Sequence, residues 1–148
     1  MPAALIDTNV LVYAHQPAEV AKHERANQVL ERLAASGTGR LSAQILGEFV
    51  RVATRTQNPL MSIAEALRQV ERLARVWPVL DITAPVVLEA VRGMRAHRLG
   101  YWDAQVWAAA RLNQLTIVFS EDFSGVATLE GVRFVNPFSD DFDLERWT

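Results

Sequence analysis

The sequence predicts an α/β fold: a mostly parallel sheet of short strands with helices on both faces and right-handed crossovers. Three observations carry that expectation. Short apolar or β-branched runs recur along the chain, segments of helical periodicity separate them, and two of the runs end on acids, Asp7 and the Ser120-Glu121-Asp122 triplet. With 148 residues, half of them hydrophobic, the chain can fill a core without disulfides, and residues 1–148 are expected to form one domain.

Ala3 to Ile6 reads as a short buried strand and Asn9 to Ala14 as a short helix that stops near Pro17. A longer amphipathic helix runs from Val20 to Ala35, with Ala26, Val29, Leu30 and Leu33 on one face and Ser36-Gly37 at its end. Arg40 to Ser42 forms a brief strand. Ala43 to Arg55 is helical by pattern, with Ile45, Phe49 and Val52 as its apolar stripe and Pro59 beyond it. Ser62 followed by Glu65 is a capping box that opens a helix reaching Val76. Val79 to Ile82 reads as strand and Pro85 to His97 as helix. Gly100 breaks the pattern before another helix from Tyr101 to Asn113, and Thr116 to Phe119 and Val132 to Val135 are the last strands. Residues 138–148 form an acidic tail carrying Phe142 and Trp147.

Composition narrows the function. The chain has no cysteine, which excludes disulfides and thiolate metal sites and suits a reducing cytoplasm. The start, Met-Pro-Ala-Ala-Leu-Ile-Asp, lacks a basic n-region and is not expected to act as a signal peptide, and no apolar run is long enough to span a bilayer. A formal charge of −2 gives no global basic field, so nucleic-acid binding has to use a local patch. Lys22 is the only lysine among fifteen basic residues. The arginine bias suits bidentate phosphate contacts, and a GC-rich genome explains it equally well.

In parallel α/β folds ligands bind beyond the carboxyl ends of strands, near the reversal of strand order. Asp7 and Asp122 are expected at such ends. Each acid also has an ordinary role open to it. Asp7 suits a helix N-cap. Glu48 shares a polar stripe with Gln44, Arg51 and Arg55, as on a solvated face with an ion pair to Arg51. Asp103 complements a helix dipole, and Asp122 suits a turn. Yet Asp103 points the same way as Val106, Trp107 and Ala110, where a carboxylate needs compensation. Four converging carboxylates repel by about 4 kcal/mol per pair at 4 Å under an effective dielectric near 20. A divalent cation reverses that, and an all-oxygen site favours Mg²⁺ or Mn²⁺. His15, His23 and His97 form no ligand pair and read as ordinary surface residues.

Four segments, "LIDTNVLVYA", "QILGEF", "GYWDAQVWAAA" and "TIVFSEDFSG", stand in this order across nearly the whole chain. In them the sequence resembles the PIN-domain ribonucleases, and more narrowly the VapC-type toxins of bacterial toxin–antitoxin pairs. The resemblance implies a PIN-like three-layer sandwich and an acidic cluster at Asp7, Glu48, Asp103 and Asp122, with Thr8, Asn9 and Ser120 in support. Glu121 is either a further supporting acid or merely exposed. It implies that Asp7, Asp103 and Asp122 hold one or two Mg²⁺ or Mn²⁺ ions while Glu48 ligates through water or orients the attacking water, in RNA hydrolysis leaving a 5′-phosphate. It also implies an RNA substrate, a cognate antitoxin, a homodimer and a cytoplasmic location.

Arg51, Arg55, Arg92, Arg95 and Arg98 are candidates for holding RNA, with Tyr101 or Trp102 to stack on an unpaired base. A haloacid-dehalogenase-like phosphatase would need a second Asp at Asn9 and a late lysine, and a receiver domain likewise needs a late lysine. Lys22 lies in an early helix, and no P-loop motif occurs. The rival reading is a non-catalytic PIN scaffold that binds RNA or protein.

Overall fold

The computed structural model describes residues 2–123 and 128–147. In chain order the elements are β1 (Ala4–Ile6), α1 (Thr8–Ala14), α2 (Val20–Ser36), β2 (Gly39–Ser42), α3 (Ala43–Ala53), α4 (Ile63–Val76), β3 (Val79–Leu80), α5 (Ala84–His97), α6 (Tyr101–Leu112), β4 (Ile117–Phe119), β5 (Thr128–Leu129), β6 (Val132–Val135) and α7 (Leu144–Trp147). The strands form a six-stranded sheet in the order β3-β2-β1-β4-β6-β5. All neighbouring strands run parallel except the β5–β6 pair at one edge.

The chain adds β2 and β3 to one side of β1 and then returns to place β4 on its other side. Strand order therefore reverses between β1 and β4, which pair in register from Ala4 with Ile117 to Ile6 with Phe119. Every residue of β1 and β4 is buried, so both faces of these central strands are covered, as expected for parallel strands between helices. One core runs through Leu5, Ile6, Val29, Leu33, Ile45, Phe49, Trp107 and Phe119.

Local chemistry sets the helix boundaries. Asp7, Ser42, Ser62 and Thr83 each cap a helix with a side-chain oxygen. Only half of the expected capping box forms: Ser62 accepts from the Glu65 amide, while the Glu65 carboxylate turns to Arg68 and Gln69. Gly37 closes α2 in the left-handed region at φ 70, which glycine enters without penalty. Gly39 lets β2 pass the Trp77 ring, where any β-carbon would collide.

Most expected elements are present, with ends moved by a residue or two. The third strand is shorter than expected, ending at Leu80 rather than Ile82, and β5 and α7 were not anticipated. The tail packs back: Phe142 meets Phe119 edge to face at 6.2 Å, and the Arg133 guanidinium lies 4.6 Å from the Trp147 ring. The three histidines are half-buried, not free surface residues. His15 and His23 contact the Leu11 and Tyr13 carbonyls at 2.8 and 2.9 Å, and His97 contacts Glu130 at 2.6 Å. Among the described residues no helix is long and apolar enough to cross a membrane.

Candidate active site

Asp7 is the first residue after β1 and the cap of α1, at the reversal of strand order. Its backbone is extended, so its side chain folds over the helix start, where Oδ1 accepts from the Thr8 amide at 2.8 Å. Capping accounts for one carboxylate oxygen. Oδ2 accepts from the Ser120 hydroxyl at 2.7 Å, across the gap between the β1 and β4 ends. Asp7 is only 4% exposed, and its carboxyl is pushed up to about 6. Burial is the main cause, reinforced by the charges of Asp122 and Glu48 and opposed by the bonds from Ser120 and Thr8.

Asn9 and Ser120 tie the two strand ends together. The Asn9 amide donates to the Ser120 hydroxyl at 3.0 Å and to Asp122 Oδ2 at 3.2 Å, and the Asp122 backbone N–H donates to the same hydroxyl at 3.1 Å. Asp122 is thereby held by its backbone and by one carboxylate oxygen.

Glu48 belongs to the same site. Its Oε2 accepts from the Thr8 hydroxyl at 2.9 Å and its Oε1 from Gln44 at 3.0 Å, and Arg51 is not its partner. The expected solvated face with an i,i+3 ion pair does not form, because the packing of α1 against α3 brings Thr8 beneath Glu48. Asp103, in the first turn of α6, is half-buried. Burial raises its carboxyl above the ordinary range, with further contributions from Asp122 and Glu48. The charges of Asp122 and Glu48 thus act on both Asp7 and Asp103, which puts the four acids in one electrostatic field.

None of the four acids pairs with a cation among the described residues. As they are placed, no three His, Asp or Glu side chains among the described residues form a group that could hold a metal ion. The donor set is oxygen throughout and carries uncompensated negative charge, so it fits a hard divalent cation better than zinc.

Glu121 lines the same cavity as Glu48 and Asp122, but its carboxylate already has partners. It accepts from Tyr13 at 2.8 Å and pairs with Lys22 at 2.9 Å, so the lone lysine is committed to it. The RNA candidates divide. Arg51, Arg95 and Trp102 are exposed, and Arg51 lines the cavity that also holds Glu48 and Asp122. Arg92 is held by Glu89 and Glu130, and Arg55 donates to the Asn58 carbonyl. Arg98 occupies the left-handed cap of α5. Tyr101 is half-buried and donates to Gln105 at 2.7 Å.

Sequence reasoning missed the role of two glutamines. Gln105 donates to Gln44 at 2.9 Å, and Gln44 in turn donates to Glu48 and to the Trp102 carbonyl at 3.1 Å. A relay therefore runs from Tyr101 to Glu48 and Thr8. The available signal was Gln105 itself, a lone polar residue in the apolar run Ala104 to Ala110, whose burial requires partners.

Comparison with known proteins gives the same outline. A PIN-domain family model matches residues 4–127. The fold is similar to a toxin–antitoxin complex chain from Klebsiella pneumoniae at 20% identity, covering 91% of this chain and 98% of that one, with a TM-score of 0.66. It is similar to Mycobacterium tuberculosis VapC20, described as a sarcin–ricin loop cleaving toxin, at 24% identity, 88% and 99% coverage and a TM-score of 0.64. FitAcB from Neisseria gonorrhoeae aligns at 21% identity, 91% and 98% coverage and a TM-score of 0.62. No curated protein sequence matches. With the family model spanning most of the chain and the acids that follow β1 and β4 grouped with those of α3 and α6 beyond the carboxyl ends of the central strands, this chain belongs to the PIN-domain family.

Proposed function

We propose that the chain is a Mg²⁺- or Mn²⁺-dependent ribonuclease, the toxin of a type II toxin–antitoxin pair. The observation that carries this reading is the group of four carboxylates at the switch point with no cation paired to any of them among the described residues. In this reading Asp7, Asp103 and Asp122 hold the cation and Glu48 positions water. A divalent cation held there would supply charge neutralisation at the scissile phosphate and would lower the pKa of a water so that it gives up its proton near neutral pH.

The protein's own groups do the positioning. Ser120 and the Thr8 amide hold both oxygens of Asp7, and Asn9 holds Asp122. Thr8 and Gln44 engage both oxygens of Glu48, fixing the carboxylate that is to accept the proton of the attacking water. When the oxygen of water bonds to phosphorus and the P–O3′ bond breaks, hydrolysis leaves a 5′-phosphate and a 3′-hydroxyl and needs no 2′-hydroxyl as nucleophile, so preference for RNA has to come from binding.

The toxin assignment is supported by the likeness to chains from toxin–antitoxin complexes. The proposed partners are an RNA, a second copy of the chain and an antitoxin in the cytoplasm. An antitoxin segment that presents arginine to the acidic cleft would oppose cation binding. Incubating RNA with the protein in Mg²⁺ and in EDTA tests the catalytic reading. Cleavage is expected only with the metal, with 5′-phosphate products, and undiminished activity in EDTA refutes it. RNA binding without cleavage in Mg²⁺ would favour the non-catalytic scaffold. Light scattering at micromolar concentration checks the dimer, and a monomer refutes it.

A further inference from the structure

Beside the acidic cavity lies a second one of about 610 Å³, between α3 and the start of α6. Its α3 wall is Gln44, Gly47, Glu48 and Arg51, spaced as one helix face, and Trp102 and Gln105 stand opposite. Glu48 and Arg51 line both cavities, so they form the divide between this space and the one containing Asp122.

The geometry points to a nucleobase subsite here: an unpaired base of the RNA strand stacks on Trp102 while Arg51 meets the adjoining phosphate at the divide. The inference rests on the ribonuclease reading and adds where the strand runs. Two independent features support it. Trp102 is 62% exposed, an unusual state for a residue with so large an apolar ring; the ring meets Tyr101 edge to face at 5.0 Å and borders a space within the range of ligand pockets. Gly47 stands mid-helix, where glycine is the least favourable residue short of proline. Its φ is not in the left-handed region, and a β-carbon built on it meets nothing within 4 Å. Neither backbone conformation nor packing requires glycine at this position, and what its missing side chain leaves is room in the cavity.

The amides of Gln44 and Gln105 are engaged with each other, with Glu48, with the Trp102 carbonyl and with Tyr101. Stacking is therefore the main contact, and it is tolerant of base identity. Arg51 is the wall's cation, and it makes no ion pair with a carboxylate among the described residues. A strand bringing phosphate to the acids at Asp122 passes that arginine on its way to the indole.

The test uses the whole protein and a fluorescein-labelled, mixed-sequence, single-stranded oligoribonucleotide. Binding is read by anisotropy in EDTA at low salt, and kcat and KM are read separately in Mg²⁺. Trp102→Ala should weaken binding about tenfold, and Gly47→Met should do the same by filling the cavity. Methionine is a good helix former, so Gly47→Met should leave the melting temperature unchanged or raised, which separates a filled site from a damaged fold. Both variants should raise KM far more than they lower kcat. A single abasic position scanned along the strand should weaken wild-type binding at one place and add nothing there in Trp102→Ala. Variants that bind RNA as wild type does, while wild type cleaves in Mg²⁺, overturn the subsite and leave the ribonuclease reading intact. Wild type that binds with this variant pattern but does not cleave keeps the subsite and refutes the ribonuclease. Wild type that neither binds nor cleaves refutes both.

Discussion

Replacing Asp7 by asparagine separates a helix cap from a member of a charged cluster. The amide oxygen of the new side chain can still accept from the Thr8 N–H, so the cap survives. The other side of the residue changes. The Ser120 hydroxyl donates to Asp7 Oδ2 and accepts from the Asn9 amide and the Asp122 N–H, which occupy its two lone pairs. An asparagine NH₂ facing that hydroxyl finds no free acceptor, which costs about 1–3 kcal/mol at any pH. Against this stands the removal of a buried charge. The Asp7 carboxyl is raised from 3.8 to about 6, so between those values the folded protein holds a proton that the unfolded chain has released. Metal-free stability from this group is complete below about 3.8 and falls as pH rises through about 6, a loss of about 3 kcal/mol by pH 8. The neutral amide of the variant cannot suffer that loss. In EDTA at pH 8 the variant should therefore match or exceed wild type, by up to about 2 kcal/mol or roughly 4–8 °C. At pH 4 it should be the less stable of the two. Taking the difference between the two proteins cancels the titration of carboxylates that do not interact with Asp7, leaving Asp7 and the acids coupled to it, Asp122 and Glu48. Thermal melts across pH 4–8 measure it, and a gap that stays constant with pH would refute the electrostatic reasoning. With Mg²⁺ at a hundredfold excess over its dissociation constant wild type should gain about 2.7 kcal/mol, and the variant far less.

Thr8→Val removes the hydroxyl that fixes Glu48 Oε2 and should lower metal affinity or cleavage by about 10–100-fold; titration calorimetry with Mg²⁺ and a cleavage assay check it. Lys22→Met leaves Glu121 without its cation, next to Asp122 in the chain. The pair is partly exposed, so the loss should stay within about 1 kcal/mol and shrink in high salt, as urea melts at two salt concentrations would read. A β-carbon at Gly93 would sit 2.5 Å from the Trp107 ring, which is fully buried and donates to the Leu129 carbonyl at 3.2 Å. Gly93→Ala should therefore cost about 1–3 kcal/mol by overpacking, read as a lower urea midpoint, and an unchanged midpoint would contradict the packing.

The sequence by itself determined the class of the fold and the places where acids meet strand ends. Periodicity, caps and breakers act over a few residues, and they located nearly every helix and the strands of the sheet centre within a residue or two. Asp7 and Asp122 were legible as strand-end acids for that reason. What those acids touch was not legible. Ser120 reaches Asp7 across 113 residues, Lys22 reaches Glu121 across 99, and Gln105 reaches Gln44 across 61. The sheet order, with β4 returning beside β1, brings Ser120 to Asp7, and the packing of helices beside those strands brings the other two pairs together. The same long-range packing turned Glu48 from a surface ion pair into a bonded neighbour of Thr8 and folded the tail back onto the core. It also brought Glu130 to Arg92, which its helix neighbour Glu89 three residues earlier already engages. The edge strand β5, two residues long, has too little sequence to show a period and exists only because β6 offers it a partner. Local propensity chooses the elements, but which side chains share a site depends on which elements the topology sets side by side, and no short-range pattern encodes that.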